Sequence, residues 1–203
     1  MRQIIIMLDI LVATNNDHKL HEYNVMFNPL GIHAHSPKEY GIVDNPDENG
    51  TTFEANSLIK AESLAKYSKM PIIADDSGIC VKSLNNFPGI YSARFAKECG
   101  GNANANLELI KRAKATGKMD AEFVCVITLL NVEDKPIQFK GICPGYLLDE
   151  PHGNGGFGYD PIFYSTEGNI ALGLASEDIK NKYSHRSKAI SQLVEYLKKR
   201  KLI

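Results

Sequence analysis

Runs of apolar residues divide this chain into short segments, and most runs are followed by polar residues or glycines. Residues 10–13 form a continuous apolar run, which is typical of a strand that is buried on both faces of a sheet. Further strands are predicted at residues 71–74, 79–84, 122–130 and 136–148. The strand at 71–74 is expected to end at the polar segment that begins with Asp75. Residues 85–101, which contain Pro88 and Gly89, are expected to form a loop.

Apolar residues three or four positions apart predict helices between these strands. The first helix follows the first strand, and Gly31 stands where its C-terminal cap belongs. A second helix is expected to begin at a capping box in which the Thr51 side chain accepts a hydrogen bond from the Glu54 amide. A third, with Leu107 on its apolar face, is expected to end near Gly117. The last helix is amphipathic, and its apolar face contains Ile190, Leu193, Val194 and Leu197.

The order of these elements predicts a mixed α/β protein. Two long predicted strands, at residues 122–130 and 136–148, follow each other with no helix between them, so strict strand–helix alternation fails. We therefore expect a mixed β-sheet with flanking helices at both ends rather than a doubly wound parallel fold. The sequence has no internal repeat and no linker, so residues 1–203 are expected to form a single domain.

Composition and charge exclude several classes of protein. The chain has 23 Lys and Arg against 24 Asp and Glu, a formal net charge of −1, so no large field of one sign attracts nucleic acid or a membrane. Apolar residues make up 43% of the chain, which excludes intrinsic disorder. The cysteines lack the spacing of zinc or redox motifs and predict buried thiols in a reducing compartment, the cytoplasm. They are Cys80, Cys99, Cys125 and Cys143.

The apolar N-terminal segment predicts a buried strand rather than a targeting signal or membrane span. Asp9 interrupts the apolar run, and no small-residue cleavage pattern follows it. Met7 offers an alternative start, so we expect residues 1–6 to be a dispensable extension.

A polar segment with anion-binding character follows the first strand and opens the first helix. Backbone amides at a helix start lack partners within the helix, and the lysine of this segment adds a positive charge. The alternative is an ordinary helix cap by Asn16 or Asp17, because no Walker-type glycines are present. The segment consists of Thr14, Asn15, Asn16, Asp17, His18 and Lys19.

Acidic residues form a second candidate site for catalysis or metal binding. Asp75 and Asp76 are neighbours at a predicted strand end, so one can face a site while the other faces the protein. The alternative is a solvated Asx turn. Glu48 lies in a polar loop and is either a second oxygen ligand of the kind that Mg²⁺ takes or a solvated acid. Lys60 shares a predicted helix face with Asn56, and its stem is partly buried or snorkels to solvent.

Two further groups of residues offer an aromatic surface and hydrogen-bond donors. The first follows a glycine-rich loop and forms either a flat aromatic floor with one acceptor or part of the core. The second precedes the last helix and supplies either donors or solvated charge at a helix start. The groups are Phe157, Gly158, Tyr159 and Asp160, and Lys180, His185 and Arg186.

Six sequence blocks, which occur in order from about residue 10 to the last helix, carry a family resemblance. They are LVATNNDHK (11–19), TFEAN through Lys60-Ala61 (52–61), ADDSG (74–78), PGIYSAR (88–94), GGFGYDP (155–161) and SHR (184–186). In this combination the chain resembles the Ham1-like inosine triphosphate pyrophosphatases. The resemblance implies two lobes around a nucleotide cleft, built on a long mixed sheet, and usually a homodimer.

The resemblance also implies an activity and roles for residues. The activity is Mg²⁺-dependent hydrolysis of ITP, dITP and XTP to a monophosphate and pyrophosphate, which removes deaminated purines from the nucleotide pool. Asp76 stands at the position of the general base, and Glu48 and Asp76 at those of the metal ligands. Residues 14–19, Lys60 and Ser77 are expected to bind the triphosphate end of the substrate. The residues expected to hold the base are Phe157, Gly158, Tyr159, Asp160, Lys180, His185 and Arg186.

Three positions depart from the family pattern. Asn15 replaces a glycine, Ser187 stands where a glycine is usual, and residues 172–176 match loosely. No charged catalytic position is lost, so hydrolysis is the expected function. Two alternatives stay open: a pyrophosphatase for other modified nucleotides, and a nucleotide-binding regulator that does not hydrolyse. A nucleic-acid partner is disfavoured by the balanced charge.

Overall fold

The computed structural model describes residues 7–203, so the predicted extension at residues 1–6 lies outside the described part. The strands in this range are β1 (Leu8–Val12), β2 (Ile32–His35), β3 (Ile72–Val81), β4 (Phe87–Pro88), β5 (Asp120–Leu130), β6 (Ile137–Leu147), β7 (Phe163–Ser165) and β8 (Ile170–Ala171). The helices are α1 (Asp17–Phe27), α2 (Phe53–Leu64), α3 (Ser92–Glu98), α4 (Asn102–Thr116), α5 (Glu177–Tyr183) and α6 (His185–Lys199). Among these helices, none has the length and apolar character that a membrane crossing requires.

The strands form a mixed sheet, as the sequence predicts. Their order is β2-β1-β3-β5-β6-β7-β8, and β4 pairs with β3 off this path. β1 runs parallel to β2 and to β3, whereas β4 is antiparallel to β3 and β7 is antiparallel to both β6 and β8. The strands β5 and β6 follow each other without an intervening helix, which confirms the departure from a doubly wound fold.

The described chain divides into two compact units. The first comprises the described residues up to Asp76, with Val126–Lys140 and Ala189–Ile203, and the second comprises Ser77–Cys125 and Gly141–Lys188. The first unit has a core cluster from β1, α2 and β3, consisting of Leu11, Ala61, Leu64, Ile72 and Ala74. The second has a larger cluster to which β3, α3, α4, β5, β6 and β7 contribute; its aromatic members are Phe95, Phe123, Tyr159 and Phe163.

Strand β3 runs without a break through the segment where the sequence predicts the end of one strand and the start of another. Gly78 lies inside β3, and a Cβ there would be 2.2 Å from the Gly89 carbonyl oxygen and 2.5 Å from Ser92 Oγ. The glycine is therefore required by the close approach of a second backbone segment, not by a turn. Asp75 and Asp76 accordingly lie within a strand, and the prediction that they stand at a strand end is wrong.

Several local predictions also need correction. The range 85–101 is not a loop, because it contains β4 and α3. The cap of α2 is Thr52, whose side chain accepts from the Ala55 amide, so the expected capping box between Thr51 and Glu54 is wrong. Leu107 is 58% exposed, because packing turns a different face of α4 inward. That buried face contains Ala105, Asn106, Leu109, Ile110 and Ala113.

Other predictions of local structure are confirmed. Gly117 ends α4 with φ of +72°, a conformation that favours glycine. Gly31 has the same φ, but it caps a short 3₁₀ turn at residues 28–30; α1 itself ends at Phe27, so the cap expected at Gly31 is displaced. The apolar face of α6 is fully buried at Ile190, Leu193 and Leu197. The cysteines are free thiols, of which Cys99 is partly buried and the other three are buried.

Candidate active site

The adjacent carboxylates of β3 are both buried, and each contacts a different lysine. Asp75 is 2% exposed and accepts a hydrogen bond from Lys19 Nζ at 2.8 Å, whereas Asp76 is 6% exposed and accepts one from Lys60 Nζ at 2.9 Å. Each carboxylate therefore has its own lysine partner. The alternative of a solvated Asx turn is therefore wrong.

Lys60 links two acidic residues that are distant in the sequence. Its Nζ donates to Glu48 Oε2 at 3.1 Å as well as to Asp76 Oδ1, and its side chain is only 13% exposed. The alternative of a snorkelling lysine is therefore wrong. Helix α2 also fixes the loop that carries Glu48, because Asn56 Oδ1 accepts from the Gly50 amide at 2.8 Å. The shared face of Asn56 and Lys60 thus brings Glu48 to the buried lysine.

Three carboxylates and two ammonium groups form a carboxylate–lysine cluster, which consists of Lys19, Glu48, Lys60, Asp75 and Asp76. Burial raises the pKa of Asp76, and the positive charges of Lys60 and Lys19 offset this only in part. Burial lowers the pKa of Lys60, but the negative charges of Asp76, Asp75 and Glu48 outweigh it, and the pKa is raised overall. The ammonium group of Lys60 therefore stays protonated, while Asp76 holds a proton more readily than an ordinary aspartate.

The cluster has the donor chemistry of a hard-cation site that is completed by a ligand. Asp76 Oδ2 is buried and accepts no hydrogen bond from residues 7–203. In that same range no group of three or more His, Cys, Asp or Glu side chains is arranged to hold a metal by itself. Mg²⁺ commonly takes one or two carboxylates together with water and substrate phosphates, so Glu48 and Asp76 fit such an ion.

The segment at residues 14–19 forms the cap of α1. Asn16 Oδ1 accepts from the amides of His18 and Lys19, at 3.0 and 3.3 Å, and Thr14 Oγ1 accepts from the Asn16 amide at 3.1 Å. The cap by Asn16 is therefore present, and it occupies two of the amides at the start of the helix. Lys19 joins the segment to Asp75, which puts its ammonium group in the carboxylate–lysine cluster. That residues 14–19 bind phosphate stays a prediction.

In the second unit, the ring of Phe157 lies close to two cations. Lys180 Nζ is 5.2 Å and the Arg186 guanidinium 5.7 Å from the ring centroid. Asp160, which is 4% exposed, accepts hydrogen bonds at Oδ2 from Lys180 Nζ and from the Phe157 amide, both at 2.9 Å. Asp160 therefore fixes a lysine and the local backbone, which is a more specific role than the lone acceptor that the sequence suggests.

Tyr159 does not extend the aromatic surface of Phe157. Its ring is 6% exposed and belongs to the core of the second unit, and its hydroxyl donates to the Ser92 carbonyl at 2.7 Å. Burial raises its pKa, so the phenol remains protonated. The expected flat aromatic floor is thus reduced to the ring of Phe157. Because the Tyr159 side chain is in the core, only its backbone is available to contact a ligand. The residue between them, Gly158, has its carbonyl bound by Asn106 Nδ2 at 3.1 Å.

His185 and Arg186 are buried, at 8% and 2% exposure, so the alternative of solvated charge at a helix start is wrong for both. The His185 ring stacks on Phe123, with centroids 4.7 Å apart and planes 12° from parallel. An Arg186 amino group donates to Ser77 Oγ at 3.0 Å, which brings Ser77 into this group. We call Ser77, Phe157, Asp160, Lys180, His185 and Arg186 the aromatic–cation cluster.

Sequence reasoning singled out Asp75, Asn56 and Lys60 but missed two residues that support the aromatic–cation cluster. Phe123 and Asn106 carry no local signal, because their contacts with His185 and Gly158 join residues 62 and 52 positions apart. Asn106 is also a polar residue that is buried, and periodicity alone cannot distinguish it from a surface residue.

The fold and the two clusters define an α/β protein with groups suited to an anion and groups suited to an aromatic ring. More particularly, the chain belongs to the Ham1 family, whose sequence model matches residues 10–196. A protein of Halalkalibacterium halodurans named dITP/XTP pyrophosphatase is 37% identical over 190 residues, 92% of this chain and 97% of that protein. One of the same name from Leptospira interrogans is 39% identical over 189 residues, 92% and 95% of the two chains.

A solved structure supports the same relationship. The Ham1 protein of Staphylococcus aureus matches this chain with a TM-score of 0.84 and 36% sequence identity, over 95% of this chain and 99% of that one. The predicted fold class and the family resemblance are therefore confirmed.

Proposed function

We propose that this protein hydrolyses deaminated purine nucleoside triphosphates, ITP, dITP and XTP, to the monophosphate and pyrophosphate. Family membership and relatives named dITP/XTP pyrophosphatase support this activity. The observation that carries it is the buried Asp76 carboxylate, which Lys60 holds through one oxygen while the other accepts no hydrogen bond from the described residues. Such a group suits proton abstraction from water beside a phosphate chain. The proposed activity would remove deaminated purines from the nucleotide pool.

Asp76 acts as the general base in this proposal. A water molecule attacks the α phosphorus while its proton passes to Asp76 Oδ2. The bond from the α phosphorus to the bridging oxygen then breaks, and pyrophosphate leaves with the electron pair. Burial raises the pKa of Asp76, and this makes the carboxylate a stronger base than an ordinary aspartate. Lys60 and Lys19 stabilise the negative charge that develops on the phosphate oxygens.

Glu48 and Asp76 would hold a magnesium ion. The ion, when bound, would neutralise phosphate charge and polarise the phosphoryl group. Lys60 contacts both carboxylates and so holds them close together before an ion arrives. The residues 14–19 and Ser77 remain proposed contacts of the triphosphate.

Base recognition is assigned to the aromatic–cation cluster. Phe157 would stack on the purine, an interaction worth roughly 1–3 kcal/mol in nucleic-acid complexes. Arg186, His185 or Lys180 would donate to the 6-oxo group of hypoxanthine or xanthine. Adenine presents an amino group at that position and leaves the donor unpaired, which costs about 1–3 kcal/mol for a buried group. Discrimination against ATP follows from this difference.

Two further properties are proposals that rest on the family resemblance and the free thiols. The protein is proposed to be a homodimer in the cytoplasm. Sedimentation equilibrium of the purified chain tests the oligomeric state.

The test is incubation of the full chain with ITP, and with ATP in parallel, with Mg²⁺ and with a chelator. We expect IMP and pyrophosphate from ITP, little product from ATP, and no turnover with the chelator. Orthophosphate with IDP would refute the site of cleavage. Tight binding of ITP without turnover would support the non-hydrolysing regulator, and cleavage of other modified nucleotides in its place would support the second alternative.

A further inference from the structure

Helix α4 contains one buried side chain that its packing does not explain. Asn106 is 4% exposed, on a helix face where its buried neighbours Ala105, Leu109 and Ala113 are apolar. Asparagine is a weak helix former, and a buried amide is unfavourable unless it makes hydrogen bonds. Its Nδ2 donates to the Gly158 carbonyl at 3.1 Å, while its Oδ1 is buried and has no partner in residues 7–203. The side chain is therefore retained at a position where an apolar residue would pack without this penalty.

The group that Asn106 holds follows directly after Phe157. Gly158 has φ of +63°, in the left-handed region that glycine enters easily and leaves as easily. The backbone on either side is anchored by other contacts: the Phe157 amide donates to Asp160, and the Tyr159 hydroxyl donates to the Ser92 carbonyl. Asn106 supplies the bond to the flexible residue between them. Without it, the peptide beside Phe157 could rotate.

We propose that Asn106 is a positioning residue for base recognition, and that it acts by holding Gly158 so that the Phe157 ring faces the purine. This inference rests on the proposed function, because it takes Phe157 as the surface on which the base stacks. Asn106 itself touches no substrate. Its effect is on how well the base binds, not on the phosphate chemistry at Asp76.

The substitution Asn106→Asp tests this role with almost no change of side-chain size. A carboxylate cannot donate to the Gly158 carbonyl and places negative charge against it. Loss of one such hydrogen bond should raise the KM for ITP about tenfold, while kcat changes much less, because base binding is shared by the ground and transition states. Inorganic tripolyphosphate has no base, so its inhibition constant should equal that of the parent.

Asn104 provides a matched control on the same helix. Its Nδ2 donates to the Cys99 carbonyl at 2.9 Å, but the side chain is exposed. Asn104→Asp removes the same kind of hydrogen bond, and we expect parental values of KM, kcat and tripolyphosphate inhibition. Asn106→Ala serves as a second variant that lacks the charge, and thermal unfolding of every protein identifies any that do not fold.

The outcomes separate this inference from the proposed function. If the parent chain releases no pyrophosphate from ITP, the proposed function fails; the variants are then compared by calorimetric binding of ITP, and equal affinities overturn the inference too. If the parent is active but Asn106→Asp and Asn106→Ala keep its KM, the inference alone is overturned. It is also overturned if kcat, KM and tripolyphosphate inhibition deteriorate together, because that result indicates a purely structural role.

Discussion

Asp76→Asn separates the catalytic value of the buried carboxylate from its effect on stability. Asparagine has nearly the same shape and still presents an oxygen to Lys60 Nζ, which lies 2.9 Å from Asp76 Oδ1. It cannot accept a proton from water. Removal of a positioned general base typically reduces turnover by about 10²–10⁴-fold, or roughly 3–5 kcal/mol in the barrier. We expect kcat for ITP to fall by this amount.

The same substitution should not destabilise the fold at neutral pH. Burial raises the pKa of Asp76 above its unfolded value, so the folded state favours the protonated acid. The stability that this group contributes is therefore fully present below the unfolded pKa of about 4 and is lost as the pH rises through the raised folded pKa. Asparagine stays neutral throughout. Relative to the variant, the parent should thus lose unfolding free energy as the pH rises above about 4.

The assay is urea unfolding of both proteins at several pH values in the presence of a chelator, together with pyrophosphate release from ITP. Asp44→Asn is the control, because Asp44 is a loop carboxylate that accepts from Ser63 Oγ at 2.7 Å, outside the carboxylate–lysine cluster. Near-parental turnover in Asp76→Asn would refute the assignment of the base. A parent that gains stability over this variant as the pH rises would refute the argument from burial.

Two other substitutions test the surroundings of Asp76. Lys60→Met removes the ammonium group between Glu48 and Asp76, and this loss of positive charge should raise the pKa of Asp76 further. The acid limb of the pH profile of kcat/KM for ITP should therefore move to higher pH. An unmoved limb would show that Lys60 does not act on the base. Gly50→Ala places a Cβ 2.6 Å from Asn56 Oδ1 and 2.8 Å from Ala55 Cβ, so the loop that carries Glu48 must shift. Such overpacking costs about 1–3 kcal/mol, and we expect a higher Mg²⁺ concentration for half-maximal activity; a parental Mg²⁺ titration would contradict this.

The sequence predicted the fold correctly where an element is determined by residues within a few positions of one another. Strand β5 is a long, mostly apolar run, the α6 face repeats at helical spacing, and Gly117 marks the end of α4, where a left-handed residue is needed. The errors fall where a distant segment decides the structure. Gly78 suggested a turn, but it stands in a strand because the Gly89 backbone approaches β3 there.

The candidate site shows the same division. Its charged residues were identified without a structure, because the family resemblance assigns roles to carboxylates, lysines and an arginine at these positions. Their partners were not. Asp75 and Asp76 are chemically identical neighbours, and only their pairing with Lys19 and Lys60 distinguishes them. Likewise, Phe157 and Tyr159 are separated by one glycine, yet one ring lies beside two cations and the other lies in the core.

The sequence by itself determined the main strands and helices, the mixed character of the sheet and the residue types available for chemistry. The tertiary structure decided which of those side chains are buried, which pair with one another, and which carry structure instead of a ligand. The physical reason is that periodicity and capping depend on neighbours within a few positions, whereas burial and charge pairing depend on segments that packing brings together. Lys60 illustrates both: the helix that carries it was predictable, but its contact with Glu48 and Asp76 required the folded chain.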